Sequence, residues 1–310
     1  MRIHPRALRF TKESAFQVLA RAREIEASGR SVIHLEIGQP DFPTPSHICE
    51  AAIRAIREGK TGYGPSLGLP ELRRAIAEEA GRRRGLDFRA EQVIVTPGAK
   101  PILYYAINAL TGEGDEVIYP DPGFPMYASI TAYSGAKPVP LPLREEKGFR
   151  FEAREFRSLL SDRTRLLVLN SPQNPTGGIL TPSDLEVVAE EARRRDLWVL
   201  SDEIYGGIQY EGEFFSIASL PGMAERTVIL DGFSKSYSMT GWRMGYGILP
   251  LPLVEVFDSY SVNIVSCAVT FNQYGALAAL QGTQEPVRRM VEEFRSSTSA
   301  QLVTDVAPAR

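Results

Sequence analysis

Apolar and polar positions alternate along this chain with two periods, and the switching between them predicts the architecture. Residues 11–28 read as a helix, with Arg, Glu and Ala interspersed and Gly29 placed to end it. Helical patterns return over 46–58 and 70–84, and Pro70 suits the first turn of the latter. From there, short runs rich in Val, Ile and Leu at 92–96, 116–119, 165–170, 197–201 and 227–231 read as strands. Helical stretches lie between most of them, the clearest over 182–195. Almost wholly apolar strands separated by helices predict an α/β fold, a mostly parallel sheet sandwiched by helices. Helical periodicity persists over 268–295, and from Ser296 the pattern is lost. The expected organisation is an N-terminal segment over 1–45, a large domain over 46–295 and a patternless tail over 296–310.

Composition narrows the chemistry. The 310 residues hold 43% hydrophobic and 24% charged positions, an ordinary globular balance. A formal charge of −3 gives no global pull toward nucleic acid. The basic runs Arg82-Arg83-Arg84 and Arg193-Arg194-Arg195 each fall near a helix end, where cations favour the dipole, and read as solvated faces. Cys49 and Cys267 form no metal or disulfide framework, and His4, His34 and His47 are scattered, so no metal is expected. No leader-like segment and no apolar run of membrane-spanning length is seen, so the expectation is a cytoplasmic protein without membrane or nucleic-acid partners.

In an open parallel sheet, ligands bind beyond the carboxyl ends of the strands, so the residues following each strand are the candidates. After 92–96 come Gly98, Ala99 and Lys100, a small-residue turn into a helix that suits an anion but also reads as a plain tight turn. After 165–170, the prolines around Asn174 fix an irregular loop that could mount one amide, and an X-Pro bond there is open to the cis form. Asp202 ends a buried strand and needs a cationic or protonated partner; Tyr205 follows it. After 227–231, Lys235 sits among Gly, Ser, Phe, Tyr and Met, a setting for a partly desolvated nucleophilic amine, with Arg243 able to clamp a phosphate. Together these suit a pyridine aldehyde carrying a phosphate.

The segment from Ser234, Ser-Lys-x-x-x-Met-Thr-Gly-Trp-Arg-x-Gly-Tyr, closely resembles the cofactor-lysine signature of class I/II aminotransferases, the fold-type-I pyridoxal-phosphate enzymes. Asn174-Pro175-Thr176-Gly177, Ser201-Asp202-Glu203-Ile204-Tyr205, Gly38-Gln39-Pro40-Asp41-Phe42 and Tyr63-Gly64-Pro65 resemble further segments in the same order, so similarity spans roughly 30 to 295. The resemblance implies pyridoxal 5'-phosphate as cofactor, with Lys235 forming a Schiff base and shuttling the proton. It implies that Asp202 holds the pyridine nitrogen protonated, that Asn174 and Tyr205 bond the ring oxygen, and that Phe124 stacks on the ring. Gly98, Ala99, Lys100, Ser234 and Arg243 would bind phosphate. Tyr63 would reach the neighbouring subunit's phosphate, implying a homodimer. Gly38 and Asn174 would contact the substrate. Gly232 departs from branches that carry a hydroxyl there, which leaves one phosphate contact open.

The resemblance further implies a small C-terminal domain with an arginine for the substrate's α-carboxylate. Nothing in 296–310 matches it, so the expectation is a truncated or frame-shifted chain with poor substrate affinity. The expected reaction moves an amino group between an L-amino acid and a 2-oxo acid. The alternatives are a cofactor-binding remnant and a lyase on the same cofactor.

Overall fold

A computed structural model of the chain describes residues 2–11 and 14–303. Helices α1 (Ser14–Ala27), α2 (Ser46–Arg57) and α3 (Pro70–Arg84) precede the first strand, β1 (Val93–Thr96). There follow α4 (Lys100–Leu110), β2 (Glu116–Asp121), α5 (Met126–Ser134), β3 (Lys137–Pro142), α6 (Ala153–Leu159) and β4 (Thr164–Asn170). Next come α7 (Pro182–Arg195), β5 (Trp198–Asp202), β6 (Thr227–Gly232), β7 (Gly245–Ile248), α8 (Leu251–Ile264), α9 (Thr270–Gln281) and α10 (Glu285–Val303).

The strands form one seven-stranded sheet in the order β1-β7-β6-β5-β4-β2-β3. All run parallel except β7, which is antiparallel to both β1 and β6. Adjacent strand residues bury on opposite faces. Leu166, Val168 and Leu200 pack with Leu103 and Ile107 of α4, whereas Leu167, Leu169 and Val199 pack with Leu185 and Val188 of α7. The five runs read as strands are β1, β2, β4, β5 and β6 of this sheet.

Two strands carry no apolar-run signal. β3 reads Lys-Pro-Val-Pro-Leu-Pro, and its prolines are accommodated because it is an edge strand, bonded to β2 alone. β7 contains Gly245, where a Cβ would lie 2.4 Å from Ala99 N: the strand is glycine-rich because the β1–α4 turn crosses it at backbone contact.

Three expectations are corrected. First, Arg83 and Arg84 do not lie on a solvated face. Arg84 has 0% exposed side chain and pairs with Glu203 and Asp231, and Arg83 also pairs with Asp231. The other run behaves as expected, with Arg193, Arg194 and Arg195 pairing Glu186 and Glu191 at the surface of α7. Second, the periodic stretch 268–295 is two helices, α9 and the start of α10, separated at Gly282. Third, the tail is not patternless from Ser296, because α10 continues to Val303. Ser296 and Thr298 donate to the carbonyls of Glu293 and Phe294, so small polar residues follow the helix with their hydroxyls bonded back to it. Residues 304–310 of the expected tail lie outside the described residues.

Candidate active site

The carboxyl ends of β1, β4, β5 and β6 open onto a cleft of about 680 Å³, a volume typical of small-molecule sites. Its walls are built one strand end at a time.

After β1, Thr96 Oγ1 donates to the Gly98 carbonyl at 2.7 Å, and Gly98 adopts φ +81°. The turn delivers the N-terminus of α4 to the cleft, where the helix dipole attracts anions. A Cβ at Gly98 would lie 2.1 Å from Arg243 Nη2, so glycine is what lets the guanidinium rest against the turn. Arg243 itself has φ 54° and donates from Nη1 to the Thr240 carbonyl at 3.0 Å.

After β4, the buried Asn170 amide ties the region together. Its Nδ2 donates to the Asp202 and Pro172 carbonyls at 3.0 and 3.2 Å, and its Oδ1 accepts from the Asn174 N–H at 2.9 Å. The Ser171–Pro172 and Asn174–Pro175 bonds are both cis, as is Asp121–Pro122. Asn174 lines the cleft.

Asp202 closes β5 with its side chain buried at the cleft floor. Burial pushes its carboxyl up to about 6, while the Tyr127 hydroxyl and the Ile204 N–H pull it down and Asp231 and Glu203 push it up. The Tyr127 hydroxyl donates to Oδ2 at 2.7 Å. Burial, then the Asp202 charge, hold that phenol far above its ordinary range, so Tyr127 stays a donor. Tyr127 is therefore the donor that orients the Asp202 carboxyl within the protein. Nothing in the sequence distinguished this tyrosine from a core aromatic; its one signal is a place one helical turn beyond Phe124.

After β6, Lys235 Nζ donates to the Gly38 carbonyl and lies 5.6 Å from the Tyr205 ring centroid. Gly38 belongs to an N-terminal segment that docks on the lysine loop. Thr44 Oγ1 donates to the Ser238 carbonyl at 2.6 Å and accepts from Trp242 Nε1 at 3.0 Å, and Thr240 Oγ1 donates to Gln39 Oε1 at 3.0 Å. Phe124 lies edge-on to Tyr127 at 5.7 Å, and the Lys100 ammonium sits 5.2 Å from the Phe124 ring and 6.0 Å from that of Phe16.

Of the residues singled out in the sequence, Gly38, Ala99, Lys100, Phe124, Asn174, Asp202, Tyr205, Ser234, Lys235 and Arg243 all line this one cleft, and Gly98 backs Arg243. Tyr63 does not; it is 93% exposed, beside Gly62, whose carbonyl accepts from Thr270 Oγ1. Ala15 and Phe16 of α1 and Ile37 complete the wall and were not anticipated. No group of residues suited to hold a metal ion occurs among the described residues.

The family model for aminotransferase class I and II matches residues 30–303. The chain is 40% identical over 282 residues to a probable aspartate/prephenate aminotransferase of Aquifex aeolicus, covering 90% of this chain and 71% of that protein. It is 38% identical to an aspartate aminotransferase of Bacillus subtilis, covering 95% and 75%. Among solved structures it is similar to Thermus thermophilus aspartate aminotransferase with maleate, at TM-score 0.92 and 36% identity, covering 97% of this chain and 78% of that one.

Proposed function

The chain belongs to the class I and II aminotransferases, which use pyridoxal phosphate, and from that premise we propose the role of each residue in the cleft. The reaction is transfer of an amino group between an amino acid and a 2-oxo acid. The residues present fit the cofactor: a cleft of about 680 Å³ holds an acid at its floor, an amine on its wall, and a guanidinium seated where only a glycine leaves room. When bound, the cofactor supplies a carbonyl carbon that takes up the amino group and a protonated ring that draws electrons from the substrate's Cα.

The protein's part is positioning and proton movement. Arg243, Ser234 and the α4 N-terminus at Ala99 and Lys100 would hold the phosphate, a planar cation and a helix N-terminus being suited to a dianion with three terminal oxygens. Asp202, ionised, keeps a proton on the ring nitrogen, and Tyr127 fixes the carboxylate by its hydrogen bond. Asn174 and Tyr205 would hydrogen-bond the ring oxygen, and Phe124 would offer its ring for stacking. Lys235 Nζ would hold the cofactor at its carbonyl carbon and would carry the proton between the substrate's Cα and that carbon. The Gly38 carbonyl holds Nζ in the cleft between these tasks, and Gly38 and Asn174 contact the substrate. The Lys100 ammonium, held over the Phe16 and Phe124 rings, favours a donor with an acidic or aromatic side chain.

We further propose a homodimer in which Tyr63 reaches the neighbouring site. Supporting this, Tyr63 is 93% exposed, and the apolar side chains of Ile53, Ile56, Ile264 and Val269 are exposed as well. A cytoplasmic setting is supported by two free thiols, Cys49 and Cys267. No helix among the described residues is long and apolar enough to cross a membrane.

The observation that carries the assignment is the convergence of Lys235, Asp202, Asn174 and Arg243 from three separate strand ends on one cleft. The test is the absorption spectrum of the purified chain with pyridoxal phosphate. A visible band is expected, absent in Lys235→Ala. Adding L-aspartate or L-phenylalanine should change it and release the matching 2-oxo acid. Ammonia release instead would point to a lyase, and a band that survives Lys235→Ala would refute the role of Lys235.

A further inference from the structure

Two arginines of α3 reach the interior behind the cleft, and no role above uses them. Arg84 Nε donates to Glu203 Oε2 at 2.7 Å, and Nη2 lies 2.6 Å from Glu203 Oε2 and 3.0 Å from Asp231 Oδ2. Arg83 Nη2 donates to the same Asp231 oxygen. The remaining carboxylate oxygens are also satisfied: Ser201 and Ser216 hydroxyls donate to Glu203 Oε1 at 2.8 and 2.6 Å, and the Gly232 N–H donates to Asp231 Oδ1 at 2.7 Å. The Phe214 ring lies over both guanidiniums, at 5.3 and 5.5 Å.

The place of these acids in the fold gives the cluster its meaning. Glu203 directly follows Asp202, and Asp231 is the penultimate residue of β6, four before Lys235. Two carboxylates and two guanidiniums cancel, which leaves Asp202 as the acid at these strand ends whose charge is turned to the cleft. A buried ion pair is weak grounds for a stability role, since apolar replacements are often neutral or better. A role in the electrostatics of the neighbouring acid accounts for what a stability role does not: the cluster flanks Asp202 on both the β5 and the β6 side.

We propose that Arg84 is a positioning residue for Asp202: by joining Glu203 to Asp231 it cancels the buried negative charge beside Asp202 and fixes the ends of β5 and β6. Asp202 then ionises in the range where it can pair with a protonated ring nitrogen, so the inference rests on the assignment of Asp202 to that nitrogen. The groups facing Asp202, Glu203 and Asp231 are Arg83 and Arg84 from α3, Tyr127 from α5, Tyr246 from β7, and Tyr237. Burial raises the Tyr127, Tyr246 and Tyr237 phenols, the last up to about 12, so all three stay neutral while Asp202 titrates.

The test is the carbon-13 carboxyl titration of Asp202 in the full cofactor-free chain, with Asp202→Asn identifying the resonance. Arg84→Met leaves uncancelled negative charge and should raise the Asp202 midpoint by about one pH unit, a tenfold change in proton affinity. Glu203→Gln breaks the same ion pair but leaves an uncancelled cation, and should lower the midpoint by a similar amount. The double variant should return near the wild type. Loss of packing cannot produce opposite signs from two variants that break one contact, so shifts of the same sign, or none, overturn the proposal. If Arg84→Met does not fold, Glu203→Gln decides alone: an unmoved or raised midpoint overturns it. The cofactor band of the wild type, recorded in parallel, separates the two claims. Without a band the assignment of Asp202 fails; with a band and unmoved midpoints only the role of Arg84 fails.

Discussion

Asp202→Asn should stabilise the cofactor-free chain above neutral pH while disabling the enzyme. The buried carboxyl is pushed from the usual 3.8 up to about 6. A folded-state value above the unfolded one means that the folded chain binds the proton more tightly. The associated stability is fully present below pH 3.8 and is lost as pH rises through about 6. Two pH units at ~1.4 kcal/mol each make the loss about 3 kcal/mol. Asparagine does not titrate, so it escapes that loss. It does turn an NH2 toward either the Ile204 N–H or the Tyr127 hydroxyl, both of which donate to Asp202, at a cost of about 1–3 kcal/mol that is independent of pH. The robust quantity is therefore the difference between variant and wild type, which should swing by about 3 kcal/mol in favour of the variant between roughly pH 4 and pH 8. Other carboxylates, such as Glu116 and Asp184, titrate identically in both chains and cancel. Urea unfolding of both chains across this range reads the difference. Curves that run parallel would refute the reasoning, because Asp202 would then be ionising no differently in the fold than in the unfolded chain.

The same geometry makes three other outcomes checkable. Tyr127→Phe removes the hydrogen bond that holds the Asp202 carboxyl down, so its carboxyl titration should move above pH 6 by about one unit; an unmoved titration would mean the bond is not formed. Gly98→Ala places a methyl on Arg243 at a φ of +81° and should weaken cofactor binding at least tenfold while costing about 1–3 kcal/mol of stability, read by titration and thermal melting. Tyr63→Phe should leave the fold and the oligomer unchanged yet lower cofactor affinity by about tenfold, the worth of one hydrogen bond to a charged group; an unchanged affinity in a chain shown to be dimeric by light scattering would remove Tyr63 from the site.

What was legible in the sequence were the features that local pattern controls. The central strands are unbroken Val, Ile and Leu runs because both faces of the sheet are covered, and the site residues follow them because parallel strands end on one edge. β3 escaped because alternate prolines read as a breaker until the strand is known to lie at the edge. β7 escaped because its glycines answer a backbone contact with the β1–α4 turn, far away in sequence. Arg84 was misread for a similar reason. A triple arginine at a helix end looks solvated, and only the docking of α3 against β5 and β6, across 119 and 147 positions for Arg84, turns two of the three inward. α10 outran its apolar pattern because a helix is held by backbone bonds and tolerates exposed Ser and Thr whose hydroxyls bond back to its carbonyls.

The arrangement of charge follows from the register of the sheet. Asp202 pairs with Leu230 across β5 and β6, and the Glu203 N–H donates to the Leu230 carbonyl at 2.9 Å, which puts Glu203 beside Asp231. Three acids therefore collect at two neighbouring strand ends, where isolated buried charges cost most. Two of them meet guanidiniums from α3 and are closed off by Phe214. The third meets a neutral phenol, which orients it without cancelling its charge. That asymmetry is what a site for a cationic ring nitrogen requires. A carboxylate matched inside the protein would have nothing left to offer a ligand, and one left without Tyr127 would be free to turn away from it. The residual cost of ionising Asp202 in the empty cleft is then the driving force for taking up a positively charged partner, because pairing relieves in the complex what burial imposes without it.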